Sequence, residues 1–118
     1  MKQPKKVPAS SLDPKDEYNL LFAMFKSAYV ELRDMSKKSP KESLSLMKVR
    51  MLNRILERIK TFLKNEPTSD FLDIIDEDTI PSTSDTLLLM SQYAGAIKNY
   101  YNRYHIYTDR MVRPDFSK

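Results

Sequence analysis

The chain has 118 residues, of which 20 are Lys or Arg and 16 are Asp or Glu, so its formal net charge is +4 at pH 7. This length predicts one domain with its own core, and the absence of cysteine excludes disulfides, zinc–thiolate sites and thiol nucleophiles. The single glycine excludes the glycine-rich phosphate loops of nucleotide-binding folds and disfavours tight β-hairpins, so we expect an all-α protein.

The N-terminal segment predicts a disordered basic arm. Residues 1–12 are rich in Lys, Pro and Ser and contain little apolar surface to bury. They also lack the apolar stretch of a secretory signal or a membrane span. We therefore expect a soluble, intracellular protein of the cytoplasm that does not contact membranes.

A first long helix is predicted over residues 14–37. Asp13 is a suitable N-cap, Pro14 fits the first helical position, and Asp16 and Glu17 place negative charge in the first turn. The apolar residues recur at helical spacing on one face. They are Tyr18, Leu21, Phe22, Phe25, Ala28, Tyr29, Leu32 and Met35.

A second long helix is predicted from Pro40 to about Lys64. Ser39 and Glu42 have the spacing of a capping box, and such a short break predicts an antiparallel hairpin with the first helix. The apolar residues of this helix cover an arc of about 200°, wider than one neighbouring helix covers. The second helix is therefore predicted to be central and packed on two sides.

The rest of the chain predicts one short acidic helix and one more long helix. Residues 69–75 have the pattern of about two helical turns, with apolar side chains under the bundle and acids outward. A loop then leads to an N-cap at Ser82 or Ser84 and a helix over residues 85–110. The predicted architecture is a compact bundle of three long helices plus the short acidic helix in a domain over residues 13–111, followed by a tail over residues 112–118.

Basic and acidic residues are separated along the chain. Between residues 65 and 97 there are seven acids and no Lys or Arg, whereas the remainder carries 20 basic residues against nine acids. Such separation produces surfaces of opposite sign, which suit association with a charged partner or with a second copy of the chain.

The second helix carries the candidate basic binding surface. Arginines spaced four residues apart follow one edge of its apolar arc, and acids of the first helix or the acidic segment would be their internal partners. Phosphates or an acidic protein are the alternative. Lys48 lies within the apolar arc, where it either extends its ammonium to water or marks an opening for an acidic partner. The surface comprises Lys48, Arg50, Arg54, Arg58, Lys60 and Lys64.

Two further candidate surfaces follow. The acidic docking strip comprises Asp70, Asp73, Asp76, Glu77 and Asp78. Its spacing and its lack of a central glycine exclude an EF-hand calcium loop. The aromatic and basic surface comprises Tyr100, Arg103, Tyr104, Tyr107 and Arg110. Its tyrosines share a face with apolar residues, which favours a place at the rim of the core over base stacking.

No pattern indicates a catalytic site, a metal site, a bound cofactor or a small-molecule substrate. His105 has no neighbouring ligand or acid–base partner in the sequence. The sequence therefore predicts a noncatalytic protein that binds macromolecules as a regulator, adaptor or assembly subunit. A protein partner is expected first, including a second copy of the chain, because the apolar arc of the second helix exceeds what a monomer covers. The alternative is a nucleic-acid-binding accessory protein that uses the basic arm and the arginines.

Overall fold

The computed structural model describes residues 12–117, which contain three α-helices and one 3₁₀ helix. Helix α1 spans Pro14–Lys38, α2 spans Leu46–Phe62 and α3 spans Thr83–Tyr104, while the 3₁₀ helix covers Pro67–Phe71 between α2 and α3. The predicted all-helical class is therefore confirmed. The predicted disordered arm falls almost wholly on residues 1–11, which lie outside the described residues.

Helix α1 begins and ends close to the predicted positions. The Asp13 carboxylate accepts a hydrogen bond from the Lys15 backbone N–H at 2.8 Å, which satisfies one of the free donors of the first turn. Basic Lys37 and Lys38 occupy the last turn, where they interact favourably with the helix dipole. The predicted apolar face supplies much of the core, including the fully buried Phe25.

The predicted start of the second helix is wrong. Helix α2 begins at Leu46, and Ser45 is its N-cap, accepting from the Lys48 backbone N–H at 3.2 Å. Ser39 instead closes α1, because its backbone N–H donates to the carbonyl of Met35 at 2.8 Å. The Ser39 capping box therefore does not form.

Residues 39–45 remain non-helical because α3 uses their carbonyl groups. Thr83 donates its backbone N–H to the Glu42 carbonyl at 2.7 Å and its hydroxyl to the Ser39 carbonyl at 2.6 Å. Ser84 donates its backbone N–H to the Pro40 carbonyl at 3.0 Å. These bonds satisfy donors that the first turn of α3 would otherwise leave free.

Helix α1, not α2, is the central helix. The prediction that the second helix is central and packed on two sides is therefore wrong. Helix α1 contacts both α2 and α3. Its N-terminal end lies beside the C-terminal ends of both, since Glu17 is 3.8 Å from Arg58 and the ring of Tyr18 stacks 5.7 Å from that of Tyr100. The hairpin of α1 and α2 is thus antiparallel, as predicted. Part of the wide apolar arc of α2 is left uncovered.

The acidic segment forms less helix than predicted. The 3₁₀ helix ends at Phe71, and residues 72–76 have no regular secondary structure. Asn53 of α2 explains this course, because its side-chain amide bonds both the N–H and the carbonyl of Ile75, at 3.0 and 2.9 Å. Leu72 and Ile75 are buried as expected. Phe71, in contrast, is 66% exposed.

Helix α3 is capped by Ser82, one of the two predicted residues, and ends at Tyr104 rather than at residue 110. The helix ends early because the following segment bonds to α1. The Asn19 side chain donates to the Arg110 carbonyl at 3.1 Å and accepts from the Val112 N–H at 2.9 Å. Arg110 has a positive φ of 69°. This conformation directs residues 111–117 back over α1.

The small residues of α3 do not share one environment. Ala94 and Ala96 are buried, whereas Gly95 is exposed and a Cβ added there would meet no atom within 4 Å. The two alanines thus pack within the monomer, whereas position 95 faces solvent.

Gly95→Ala is expected to raise the free energy of unfolding by about 1 kcal/mol, because alanine restricts the unfolded chain and favours the helix at an open position. Urea denaturation monitored by circular dichroism measures this change. A decrease in stability would show that the open face of Gly95 is covered in solution.

Candidate interaction surface

A groove between α1 and α2 exposes a continuous set of large apolar side chains. Leu20 and Met24 are one turn apart on α1, and Met51 faces them from α2. Met24 is 50% exposed and Met51 is 51% exposed, so half of each side chain remains in water. The groove has a volume of about 1060 Å³ and continues to Met47 beyond Met51.

The apolar surface continues from the groove over the first turn of α2. Leu46 and Met47 are exposed in the first turn, beside Arg50 and Glu77. Contiguous apolar patches bordered by polar residues often mark surfaces that bind a protein or a ligand. Methionines suit such a surface because their unbranched side chains adapt to different partners.

The candidate basic binding surface borders the groove, and only part of it is paired within the chain. Arg50 contacts Glu77 at 3.2 Å and Arg58 contacts Glu17 at 3.8 Å. The acidic segment and α1 thus each supply one partner. Arg54 lines the groove, is exposed and forms no ion pair within residues 12–117. Three further exposed cations of this surface also have no ion pair within the described chain: Lys48, Lys60 and Lys64.

All five residues of the acidic docking strip are exposed, and within residues 12–117 two of them have partners for their carboxylates. The Asp76 carboxylate accepts from the Asp78 N–H at 2.9 Å and the Thr79 hydroxyl at 2.8 Å, which lowers its pKa. Glu77 pairs with Arg50. The carboxylates of Asp70, Asp73 and Asp78 make no ion pair with any residue from 12 to 117. The same part of the chain contains no group of His, Cys or carboxylate side chains arranged to hold a metal.

The aromatic and basic surface is only partly brought together. Glu66 accepts from the Arg103 guanidinium at 3.0 Å and from the Tyr104 hydroxyl at 2.8 Å, and this bond raises the pKa of Tyr104. Tyr100 packs against Tyr104 with ring centroids 4.6 Å apart. Tyr107 and Arg110 lie beyond the end of α3 and are exposed. The bonds of Arg103 and Tyr104 to Glu66 connect α3 to the turn after α2.

Sequence reasoning located the charges but missed the groove. The wide apolar arc of α2 indicates uncovered apolar surface, and the position of Leu20 and Met24 off the predicted apolar face of α1 is a second signal. The helix predicted over residues 69–75 would place Phe71 under the bundle, but the 3₁₀ helix ends at Phe71. A 3₁₀ turn has three residues per turn, so it presents a different set of side chains to solvent.

Comparisons with protein-family models, curated proteins and solved structures found no match. No helix in residues 12–117 combines the length and the apolar character that crossing a lipid bilayer requires. The function is therefore inferred from the surfaces described above.

Proposed function

We propose that the chain is a noncatalytic protein that binds another macromolecule and acts as a regulator, adaptor or assembly subunit. The groove between α1 and α2 is the binding surface, and its occupant is an apolar protein segment flanked by acidic residues. The observation that carries this proposal is the half-exposed pair Met24 and Met51 beside the unpaired Arg54.

The composition of the groove favours protein over nucleic acid. Protein interfaces concentrate aromatic residues, methionine and arginine around an apolar centre, whereas phosphates are bound mainly by cations and polar groups. The apolar side chains at the centre of the groove would make no favourable contact with a phosphate backbone. Internal acids already engage Arg50 and Arg58, which leaves Arg54 to select an acidic residue next to the apolar segment.

Nucleic-acid binding is the second candidate, and one observation favours it. Four exposed cations of the basic surface, Lys48, Arg54, Lys60 and Lys64, have no ion pair within residues 12–117. If they neutralise phosphates, the logarithm of the affinity should fall with the logarithm of salt concentration by about 0.9 per phosphate. This salt dependence distinguishes the second candidate from the first.

The test is affinity capture by the full chain from cells, with and without nuclease, followed by direct binding to the purified captured protein. Met51→Glu is expected to reduce binding at least tenfold, because it places a charge in the apolar centre of the groove. Leu88→Glu is the matched control, since Leu88 is a 65% exposed apolar residue of α3 outside the groove. Nuclease should have no effect.

Equal binding by the two variants would show that the groove is not the interface. Loss of the captured protein on nuclease treatment, together with tight and salt-sensitive binding of an oligonucleotide, would instead support the second candidate. Both variants should melt like the wild type, because each substitution lies at an exposed position.

A further inference from the structure

Phe71 lies between residues of the acidic docking strip. It has the features proposed for the occupant of the groove, namely an apolar side chain next to acidic residues. Phe71 is 66% exposed, and its neighbours in the chain include Asp70 and Asp73, whose carboxylates have no ion pair within the described residues. Leu72 is almost fully buried and donates its backbone N–H to the Ser69 carbonyl at 3.2 Å. This anchor holds the backbone of Phe71 in place while its ring projects into water.

We infer that a second copy of the chain occupies the groove, by inserting Phe71 between α1 and α2 with Asp70 and Asp73 near Arg54. This inference rests on the proposed function and names the partner of that surface. The two surfaces are complementary in apolar character, and Arg54 supplies the charge opposite to Asp70 and Asp73, while the exposed Glu57 carboxylate also lines the groove. One presents an aromatic side chain flanked by free carboxylates, and the other presents exposed methionines beside a free guanidinium.

Phe71 does not line the groove of its own molecule. The 3₁₀ helix contacts α3, and the Tyr93 hydroxyl of α3 donates to the Asp73 carbonyl at 2.7 Å, whereas the groove lies between α1 and α2. The contact therefore joins two molecules. It either closes as a twofold dimer, in which each copy inserts its Phe71 into the other, or continues from copy to copy.

The energy available supports a concentration-dependent association. Phe71 is 66% exposed, so its insertion removes most of an aromatic side chain from water, and the entropy lost on association makes the contact depend on concentration. Methionine contacts with the aromatic ring add to the contribution of this burial. The charges around the ring would make association weaker at high salt, because exposed ion pairs are screened.

Light scattering coupled to size-exclusion chromatography tests this inference on the pure full chain. The wild type is expected to exceed the monomer mass of 13.9 kDa, increasingly so at higher concentration. Phe71→Ser and Met51→Glu should each weaken association at least tenfold. Leu88→Ser, a change at a similarly exposed apolar residue of α3, should leave association unchanged.

Mixing the two defective variants gives the decisive result. Met51→Glu retains a functional Phe71, and Phe71→Ser retains a functional groove, so an equimolar mixture should form a dimer that neither variant forms alone. A wild type that stays at 13.9 kDa at all concentrations would overturn the inference, and so would association that Phe71→Ser does not weaken.

The outcomes also separate this inference from the proposed function. A monomeric wild type that still binds a captured protein through Met51 would refute the second copy as partner and leave the proposed function intact. Failure of both experiments would refute both proposals.

Discussion

Phe116→Ala is expected to lower the free energy of unfolding by about 3 kcal/mol, because it removes a buried aromatic ring and leaves a cavity. Phe116 is buried in the C-terminal tail, with its ring edge-on to those of Phe22, Phe25 and Tyr29 at centroid distances of 5.5, 5.7 and 5.6 Å. Its backbone carbonyl also accepts from the Arg33 guanidinium at 2.6 Å. Thermal melting should show a decrease of roughly 10–20 °C.

Phe71→Ala is the matched control, because it truncates the same residue type at a 66% exposed position. It should change the stability of the dilute monomer by no more than about 0.5 kcal/mol. Equal effects of the two substitutions would show that the tail does not contribute to the core in solution.

Local signals predicted α1 and the start of α3, because caps and helix periodicity act within one or two turns. Asp13 and Ser82 are both caps in the structure. The same signals failed at Ser39, where two plausible caps lie six residues apart and the choice depends on hydrogen bonds from Thr83 and Ser84. A sequence window cannot include partners more than 40 residues away.

The tail and the groove could not be predicted for the same reason. Phe116 reaches the core because Asn19 and Tyr18 of α1 bond the chain after α3, at Arg110 and Val112. The sequence correctly indicated that α2 has excess apolar surface. Which side chains remain exposed depends on how α1 packs against α2, which is a contact between residues far apart in the chain.

Asn53→Ala is expected to cost about 2–4 kcal/mol, although it removes only a small polar side chain. Asn53 is 6% exposed, and its amide satisfies both backbone groups of the buried Ile75. Alanine would leave a buried N–H and a buried carbonyl without partners, and each unsatisfied group costs about 1–3 kcal/mol. Urea denaturation measures the loss. Asn99→Ala is the control, because Asn99 is exposed on α3.

The same substitution should also loosen the acidic segment before the whole chain unfolds. Asn53 holds the backbone at Ile75, and Tyr93 holds it at Asp73 by a separate hydrogen bond to the carbonyl. Hydrogen exchange of residues 72–76 should therefore accelerate more in Asn53→Ala than exchange in the middle of α1. Two results would contradict this prediction: equal acceleration of exchange throughout the chain, or a decrease in the free energy of unfolding no larger than that of Asn99→Ala. Either would show that the two Asn53 hydrogen bonds do not fix the segment that positions Phe71.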